Sequence, residues 1–304
     1  MNRRDFIRNS VLTAGALALS PSLLAASKAT KLTILHTNDV HSRIEPFPDD
    51  GRKWGGLGGM ARRATLIEKI RKEEANVLLL DAGDIWQGTP YFNFYEGSLE
   101  YKLMNEMKYD AATLGNHDFD LGLEGLEKQL PIAKFSFLTA NYDFSKTRLA
   151  GNFKPYQIFN KGGIKVGVFG IGIELRGLVQ DRQFAETKYL DPVAVSREMV
   201  QQLKREGCQL IVCLSHLGIE YKSDKISDMK LAAQVDGIDL IIGGHSHVFL
   251  DEPRQVTNAG GGITLVNQVG WSGINLGRLD YEFGSAGNIR RISSKSLPVH
   301  QNYC

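Results

Sequence analysis

The sequence contains little cysteine. Its 304 residues include three cysteines, Cys208, Cys213 and Cys304, and none of them forms a C-x-x-C pair. An odd count without paired spacing argues against a disulfide framework and against a zinc ribbon. Cys208 and Cys213 flank an apolar run of strand length, so we expect both to pack as small apolar side chains.

The chain also lacks an excess of positive charge. The formal net charge is +2, and residues 1–29 carry four basic side chains and one acidic side chain, a net of +3, which leaves about −1 for the remainder. Binding of polymeric nucleic acid requires a concentrated basic face, so we expect no such partner. A small substrate fits this charge better.

No apolar run is long enough to span a membrane. The uncharged stretch 11–24 is shorter than a span requires, and it follows Arg3, Arg4 and Arg8. Residues 2–8 resemble the twin-arginine export motif, and small residues follow at 25–29. We therefore predict a signal peptide over residues 1–29, a periplasmic or otherwise exported protein, and no stable membrane span after processing. A disordered basic tail before an anchor helix is the alternative.

The remaining 275 residues, 304 minus 29, suit one large domain, and they contain no internal repeat or long linker. Short apolar runs alternate with segments of helical period, a pattern that predicts an α/β fold with a mostly parallel core. The predicted strands are 32–35, 77–80, 111–114, 137–139, 166–171, 210–214, 240–242 and 263–266, and the predicted helices are 60–74, 99–107 and 192–206. Residues 275–297 predict a hairpin, with a turn at 285–288, that closes one sheet edge with antiparallel strands.

Polar side chains follow five of the predicted strands. Five of the seven histidines lie in these loops, where they accompany aspartate and asparagine. The loops at the carboxyl ends of parallel strands meet at one crevice, so we expect these side chains to converge. The five histidines are His41, His117, His216, His245 and His247.

The nitrogen and oxygen donors in these loops suit zinc, manganese or iron better than calcium, which prefers oxygen alone. Asp39 and His41 are alternate residues, so in an extended chain they would project to the same side and reach one metal. His245 and His247 repeat this spacing, and Asp84 is the natural source of a further carboxylate.

Four other residues near these loops have two interpretations each. Arg43 either faces the substrate or is a solvated loop residue, and Trp54, Trp86 and Tyr91 either stack on a base or pack in the core or at the rim. The glycines of 55–59 lack the G-K-[ST] ending of a P-loop and are interpreted as the entry to a helix.

Five motifs together resemble the signature of the calcineurin-like metallophosphoesterases, in that family's order. They are Asp39-x-His41, Gly83-Asp84, Gly115-Asn116-His117-Asp118, Ser215-His216 and Gly244-His245-Ser246-His247. The segments 35–39 and 114–120 are similar, more narrowly, to the N-terminal catalytic domain of bacterial periplasmic 5'-nucleotidases. The resemblance extends from about residue 31 to residue 297.

The resemblance implies a single-domain, four-layer α/β/β/α sandwich over residues 30–304, without the C-terminal nucleotide-binding domain of full-length nucleotidases. It also implies two divalent metal ions, whether Zn, Mn, Fe or Co. One set of ligands would be Asp39, His41, Asp84 and His247, and the other would be Asp84, Asn116, His216 and His245. In the nucleotidase branch the position of His247 is commonly glutamine, which weakens the indication of nucleotide specificity.

The implied reaction is hydrolysis of phosphate esters by metal-activated hydroxide, with 5'-nucleotides as the expected substrates. The resemblance places His117 beside the leaving oxygen and Asp120 where it orients that imidazole. The alternative for Asp120 is an N-cap of the following helix.

Several other functions remain open. The same scaffold could serve as a broad-specificity phosphomonoesterase, a cyclic phosphodiesterase or a thiosulfate-oxidation-type hydrolase. A separate subunit could supply the C-terminal half. A non-catalytic binding module is disfavoured, because every ligand position is kept.

Overall fold

A computed structural model describes residues 29–303. The predicted signal segment therefore lies outside the described residues, except for Ala29, and so does Cys304. The described residues form two six-stranded sheets, one two-stranded sheet, seven α-helices and three short 3-10 helices. No helix within 29–303 is both long enough and apolar enough to cross a lipid bilayer.

The first sheet has the order β14-β13-β1-β2-β3-β4. Strands β1 to β4 are parallel, and the hairpin of β13 and β14 adds two antiparallel strands beyond β1. The hairpin predicted for 275–297 is confirmed at this edge. The strands are β1 Thr30–Thr37, β2 Val77–Asp81, β3 Ala111–Ala112, β4 Ser136–Phe137, β13 Asn275–Phe283 and β14 Ile289–Pro298.

The second sheet has the order β11-β12-β10-β9-β7-β6, with four parallel strands between antiparallel strands at both edges. The small third sheet pairs β5 with β8. The strands are β5 Tyr142–Asp143, β6 Tyr156–Lys161, β7 Ile164–Ile171, β8 Lys188–Tyr189, β9 Leu210–Ser215, β10 Leu240–Gly243, β11 Arg254–Thr257 and β12 Ile263–Asn267.

All three predicted helices are present, with ends that differ by at most one residue. Pro192 begins the third of them, and the Asp191 carboxylate accepts a hydrogen bond from the Ala194 amide as its N-cap. The helices are α1 Met60–Glu73, α2 Pro90–Tyr95, α3 Ser98–Glu106, α4 Gly122–Gln129, α5 Asp181–Phe184, α6 Pro192–Arg205 and α7 Asp228–Gln234. The 3-10 helices are His117–Phe119, Leu130–Ile132 and Gln301–Tyr303.

The two large sheets pack face to face, and helices cover their outer faces. Along β9, Leu210 and Val212 enter the core between the sheets, whereas Ile211 and Cys213 enter the core beneath α6 and α7. Because both faces are buried, the strand sequences are apolar throughout. The four-layer sandwich is confirmed, and Cys213 is a buried apolar residue as expected, with Cys208 half-buried beside the same core.

His36 shows how polar groups are accommodated between the sheets. Its side chain is fully buried on β1, and its Nε2 accepts a hydrogen bond of 2.9 Å from Asn267 Nδ2 on β12 of the opposite sheet. Burial lowers the pKa of His36 to about 3, so the imidazole is neutral in the folded protein.

Candidate metal centre

The loops that follow the strands converge on one centre, as the sequence predicts. Two groups of three side chains offer ligand atoms that lie within 4.8 Å of one another in each group. The first group is Asp39, His41 and His247, and the second is Asp84, His216 and His245. Asn116 adjoins the second group, since its Oδ1 lies 2.8 Å from His245 Nδ1.

Asp84 lies between the two groups. Its Oδ2 is 3.1 Å from His216 Nε2 and 3.9 Å from His41 Nε2. Its Oδ1 accepts a hydrogen bond of 2.8 Å from the His117 amide, which fixes the carboxylate in this position. One carboxylate therefore reaches both groups, and it has the placement that a bridging ligand needs.

Backbone carbonyls orient the two innermost imidazoles. His41 Nδ1 lies 3.2 Å from the Trp86 carbonyl oxygen, and His216 Nδ1 lies 2.7 Å from the Ala82 carbonyl oxygen. A carbonyl can only accept, so Nδ1 carries the proton and the Nε2 of each ring faces the centre. His41 Nε2 and His247 Nε2 are only 3.0 Å apart, a separation at which the two nitrogens share a proton or a cation.

The pKa shifts of the ionisable side chains at the centre also indicate that a positive charge is favourable there. Burial opposes ionisation of Asp84, but His216 and His41 outweigh this cost and lower its pKa. Burial likewise opposes protonation of His216, but Asp84 and Asp39 raise its pKa to about 10. A positive charge between these groups, from a proton or a metal ion, therefore stabilises the site. The donor set fits two divalent ions of the zinc, manganese or iron type.

Five of the candidate ligands have left-handed backbone conformations, which are uncommon outside glycine. Such conformations cost on the order of 1–3 kcal/mol each and cluster at functional sites. Asp39 and His41 both have φ of +50°, so the expectation of an extended chain there is wrong. The other three are Asp84 at +55°, His245 at +68° and His247 at +54°.

The alternate spacing of His245 and His247 does not direct both rings to one metal, and the two ligand sets implied by the resemblance separate them as well. These residues do not project together to one metal, because His245 joins Asp84 and His216 while His247 joins Asp39 and His41. Left-handed φ at both residues turns the backbone between them, and this turn directs the two rings to different groups.

Glycines allow the loops to approach one another closely. A Cβ on Gly115 would lie 2.2 Å from Asp84 Oδ1 and 2.5 Å from the Asp84 amide nitrogen. A Cβ on Gly244 would lie 2.7 Å from His216 Nδ1. These motif glycines are required because the neighbouring backbone and ligand atoms occupy the space of a side chain.

Two residues around the centre were missed as functional residues in the sequence analysis. Asn38 Nδ2 donates to Asp39 Oδ2 at 2.6 Å, which orients that carboxylate. Asp118 is fully buried and accepts hydrogen bonds from the amides of Asp84 and Gly115 at 3.0 and 2.8 Å. Both residues lie inside the recognised motifs. Their positions next to candidate ligands in the sequence could have indicated them.

Asp118 is fully buried and lies close to the Asp84 carboxylate. Burial, together with the nearby Asp84 charge, raises the pKa of Asp118 to about 7. Its hydrogen bonds tie the loop after β2 to the loop after β3, and this link fixes the separation of Asp84 from the residues around Asn116.

His117 and Asp120 form a pair at the rim of the centre. His117 Nδ1 lies 2.9 Å from Asp120 Oδ2, and 36% of the His117 side chain is exposed. This hydrogen bond raises the pKa of His117, and burial opposes the shift. The N-cap alternative for Asp120 is wrong, because α4 begins at Gly122 after Leu121 and has no side-chain cap.

The four residues with two interpretations lie in different environments. Trp86 is fully buried and stacks on Tyr101, so it belongs to the core. Trp54 packs against Phe249 with ring centroids 4.6 Å apart. Arg43 is half-buried, with its guanidinium 4.1 Å from the centre of the Phe47 ring, while Tyr91 lines an open groove beside it.

Sequence comparison finds proteins that are similar to this chain. A sequence model described as calcineurin-like phosphoesterase matches residues 32–249. The 5'-nucleotidase of Homo sapiens is 37% identical over 307 residues, an alignment that covers 94% of this chain and 52% of the human protein. The chain thus spans about half the length of the curated relatives it matches.

Two solved structures are similar as well. The 5'-nucleotidase precursor of Thermus thermophilus superposes with a TM-score of 0.80 at 34% identity, covering 90% of this chain and 55% of that one. The calcineurin-like phosphoesterase YfkN of Bacillus subtilis superposes with a TM-score of 0.74 at 27% identity, covering 90% and 92%.

Proposed function

Because this chain belongs to the calcineurin-like phosphoesterase family, we propose that it hydrolyses phosphate esters with two divalent metal ions and that 5'-nucleotides are its substrates. The observation that carries the proposal is the placement of Asp84 between two groups of ligand atoms. The curated relatives named as 5'-nucleotidases support nucleotides as the substrate class.

Seven side chains would hold the two ions. Asp39, His41, Asp84 and His247 would bind one, and Asp84, Asn116, His216 and His245 would bind the other. Bound together, two such ions activate a water molecule and offset the charge of the phosphate. The chain orients these ligands through Asn38, Asp118 and the carbonyls that fix the imidazole rings.

His117 would supply the proton for the leaving oxygen. Its Nδ1 faces Asp120, so Nε2 is the nitrogen free to donate, and the pKa raised by that hydrogen bond favours the protonated ring. The His117 ring lies 5.4 Å from the His41 ring, between the candidate ligands and solvent. A substrate phosphate at the centre would therefore have its ester oxygen near His117.

The decisive assay compares 5'-AMP, 2',3'-cyclic AMP and p-nitrophenyl phosphate as substrates of the Mn- or Zn-loaded protein. Hydrolysis of 5'-AMP that is lost in both Asp84→Asn and His117→Ala supports the proposal. Activity restricted to p-nitrophenyl phosphate indicates a broad phosphomonoesterase, and preference for the cyclic substrate indicates a phosphodiesterase. A metal-loaded protein inert on all three directs attention to thiosulfate chemistry or to a missing subunit.

We also propose that residues 1–29 direct export and that the domain of residues 30–304 acts in the periplasm or outside the cell. The basis is the arginine-rich start of the chain and the small residues at 25–29. Cell fractionation of wild type and an Arg3→Lys/Arg4→Lys variant tests this. Unchanged export of the variant would exclude the twin-arginine route.

A separate subunit that supplies a nucleotide-binding half is an alternative to base recognition by this domain alone. Purification from the native source with a tag on this chain tests it. Recovery of a fully active free monomer would exclude an obligatory partner.

A further inference from the structure

An open aromatic groove lies beside the candidate metal centre. It encloses about 670 Å³ and is lined by Arg43, Glu45, Thr89, Tyr91, Phe94 and Tyr95, which together we name the aromatic groove. The Phe94 side chain is 81% exposed and that of Tyr95 is 49% exposed. Apolar rings grouped in this way at a surface mark binding sites more often than structural positions.

Both walls of the aromatic groove are anchored to the segment that holds His41. Arg43 follows His41 by two residues, so their Cα atoms are at most roughly 7 Å apart. On the other wall, the Thr89 hydroxyl donates to the Ser42 carbonyl oxygen at 2.6 Å. The groove is therefore built on the residues that follow the candidate ligand His41 in the chain.

Aromatic rings also connect the centre to the groove. The ring of His247 stacks on Trp271 with centroids 5.8 Å apart and an angle of 6° between the planes. Trp271 in turn packs edge to face against Phe47, with ring centroids 5.8 Å apart. The Arg43 guanidinium lies over the Phe47 ring, 4.1 Å from its centroid. His247, Trp271, Phe47 and Arg43 thus contact one another in series, and Arg43 lines the groove.

The chemistry of the groove suits a heterocyclic base. Tyr91 and Tyr95 are stacked with centroids 6.4 Å apart and an interplanar angle of 18°, and Phe94 projects beside them into solvent. The Tyr91 hydroxyl donates to Glu45 Oε1 at 3.0 Å, which leaves the second carboxylate oxygen to accept from an exocyclic amine. Stacking platforms of this type bind bases with little sequence preference.

We propose that the aromatic groove binds the base of a 5'-nucleotide whose phosphate lies at the candidate metal centre. This inference rests on the proposed function and extends it, because it assigns base recognition to this domain. Phe94 is the specificity residue on which the assignment depends. Because its side chain is largely exposed, a substitution there should disturb the core little.

The test compares 5'-AMP with ribose 5-phosphate, which keeps the sugar and phosphate and lacks the base. In Phe94→Ala we expect kcat/KM for 5'-AMP to fall roughly 5- to 150-fold, mainly through KM, and kcat/KM for ribose 5-phosphate to be unchanged. Phe94→Tyr, which keeps a ring, should retain the wild-type value. Leu178→Ala, an exposed apolar residue outside the groove, is the matched control.

Equal losses for both substrates, or no loss for 5'-AMP, would overturn the inference. A second measurement separates it from the proposed function. Adenosine should inhibit hydrolysis of p-nitrophenyl phosphate by wild type more strongly than by Phe94→Ala, even if 5'-AMP is not itself hydrolysed. Equal inhibition of the two proteins would refute base binding by the groove, whatever the substrate proves to be.

Discussion

At the scale of single residues, the site depends on Asp84, because its carboxylate is the group that reaches both sets of candidate ligands. An amide in its place keeps the shape and removes the negative charge. We predict that Asp84→Asn lowers bound metal from two ions to at most one and reduces kcat/KM at least roughly 100-fold. Elemental analysis and phosphatase assays measure the two effects.

Asp224→Asn is the control for this substitution, because Asp224 is an exposed carboxylate that pairs only with Lys230 in the part of the chain described. It should keep both ions and full activity. Two bound ions in Asp84→Asn would show that another group bridges the centre.

His117 and Asp120 give a prediction that depends on the leaving group. Protonation by His117 matters for the alkoxide that leaves 5'-AMP and much less for p-nitrophenolate, which is a stable anion. We expect His117→Ala to lower kcat for 5'-AMP roughly 10²- to 10⁴-fold and to lower kcat for p-nitrophenyl phosphate much less.

Metal content should not change in His117→Ala, since His117 belongs to neither group of candidate ligands. Asp120→Asn should show the same dependence on the leaving group in weaker form, because the His117 ring loses its orienting carboxylate. Equal losses on both substrates would rule out a proton-donor role.

At the scale of strands and loops, the close contact between the loop after β2 and the loop after β3 determines where Asp84 lies. A methyl group on Gly115 would clash with Asp84, at 2.2 Å from its Oδ1 and 2.5 Å from its amide nitrogen. We predict that Gly115→Ala displaces the carboxylate and lowers kcat/KM on the order of 100-fold, with loss of metal. Gly262→Ala, in a surface turn where the nearest atom is 3.2 Å away, is the control. Wild-type metal content in Gly115→Ala would show that the loops can separate without cost.

The strand pattern explains which elements the sequence could predict. Buried parallel strands such as β9 are apolar on both faces and stand out, as do helices with a long apolar face such as α6. The edge strands β6 and β11 were missed, because they alternate or mix polar and apolar residues and are partly exposed. Short helices such as α2 and α5 are too brief for a periodic signal.

At the scale of the whole molecule, the contact between the two sheets gives a prediction about pH. His36 is neutral in the folded state, with its pKa lowered by burial to about 3, whereas in the unfolded chain its pKa is about 6.5. Between these values the unfolded state binds the extra proton, so stability rises with pH. The His36 contribution is fully present above pH 6.5 and is lost as the pH falls toward 3.

We therefore expect the difference in unfolding free energy between wild type and His36→Gln to change by about 1.4 kcal/mol per pH unit between pH 4 and 6, with wild type losing more stability in acid. Urea titrations with a chelator present measure this difference. Buried carboxyls such as Asp118 and Asp228, whose pKa values burial raises to about 7 and 8, have the opposite trend, but both proteins share them. A difference that does not vary with pH would show that His36 is charged in the folded protein.

The sequence by itself determined the α/β class of this protein, its main strands and helices, and the residue types of its centre, whereas the four layers came from the family resemblance. Apolar periodicity is a local property, so the strands, the main helices and the terminal hairpin could be predicted from it, and the donors could be located because they follow the strands directly. Parallel strands then require the loops to meet.

Residue spacing alone left open how the donors are divided between the two groups; the family resemblance implied a division, and the tertiary structure shows the backbone that produces it. Left-handed backbone at Asp39, His41, Asp84, His245 and His247 is stabilised by contacts from distant loops, and no local pattern encodes it. The structure likewise decided that Trp86 lies in the core while Tyr91 and Phe94 face solvent beside the centre. Burial of an aromatic ring depends on what packs against it, and that is settled by residues far away in the chain.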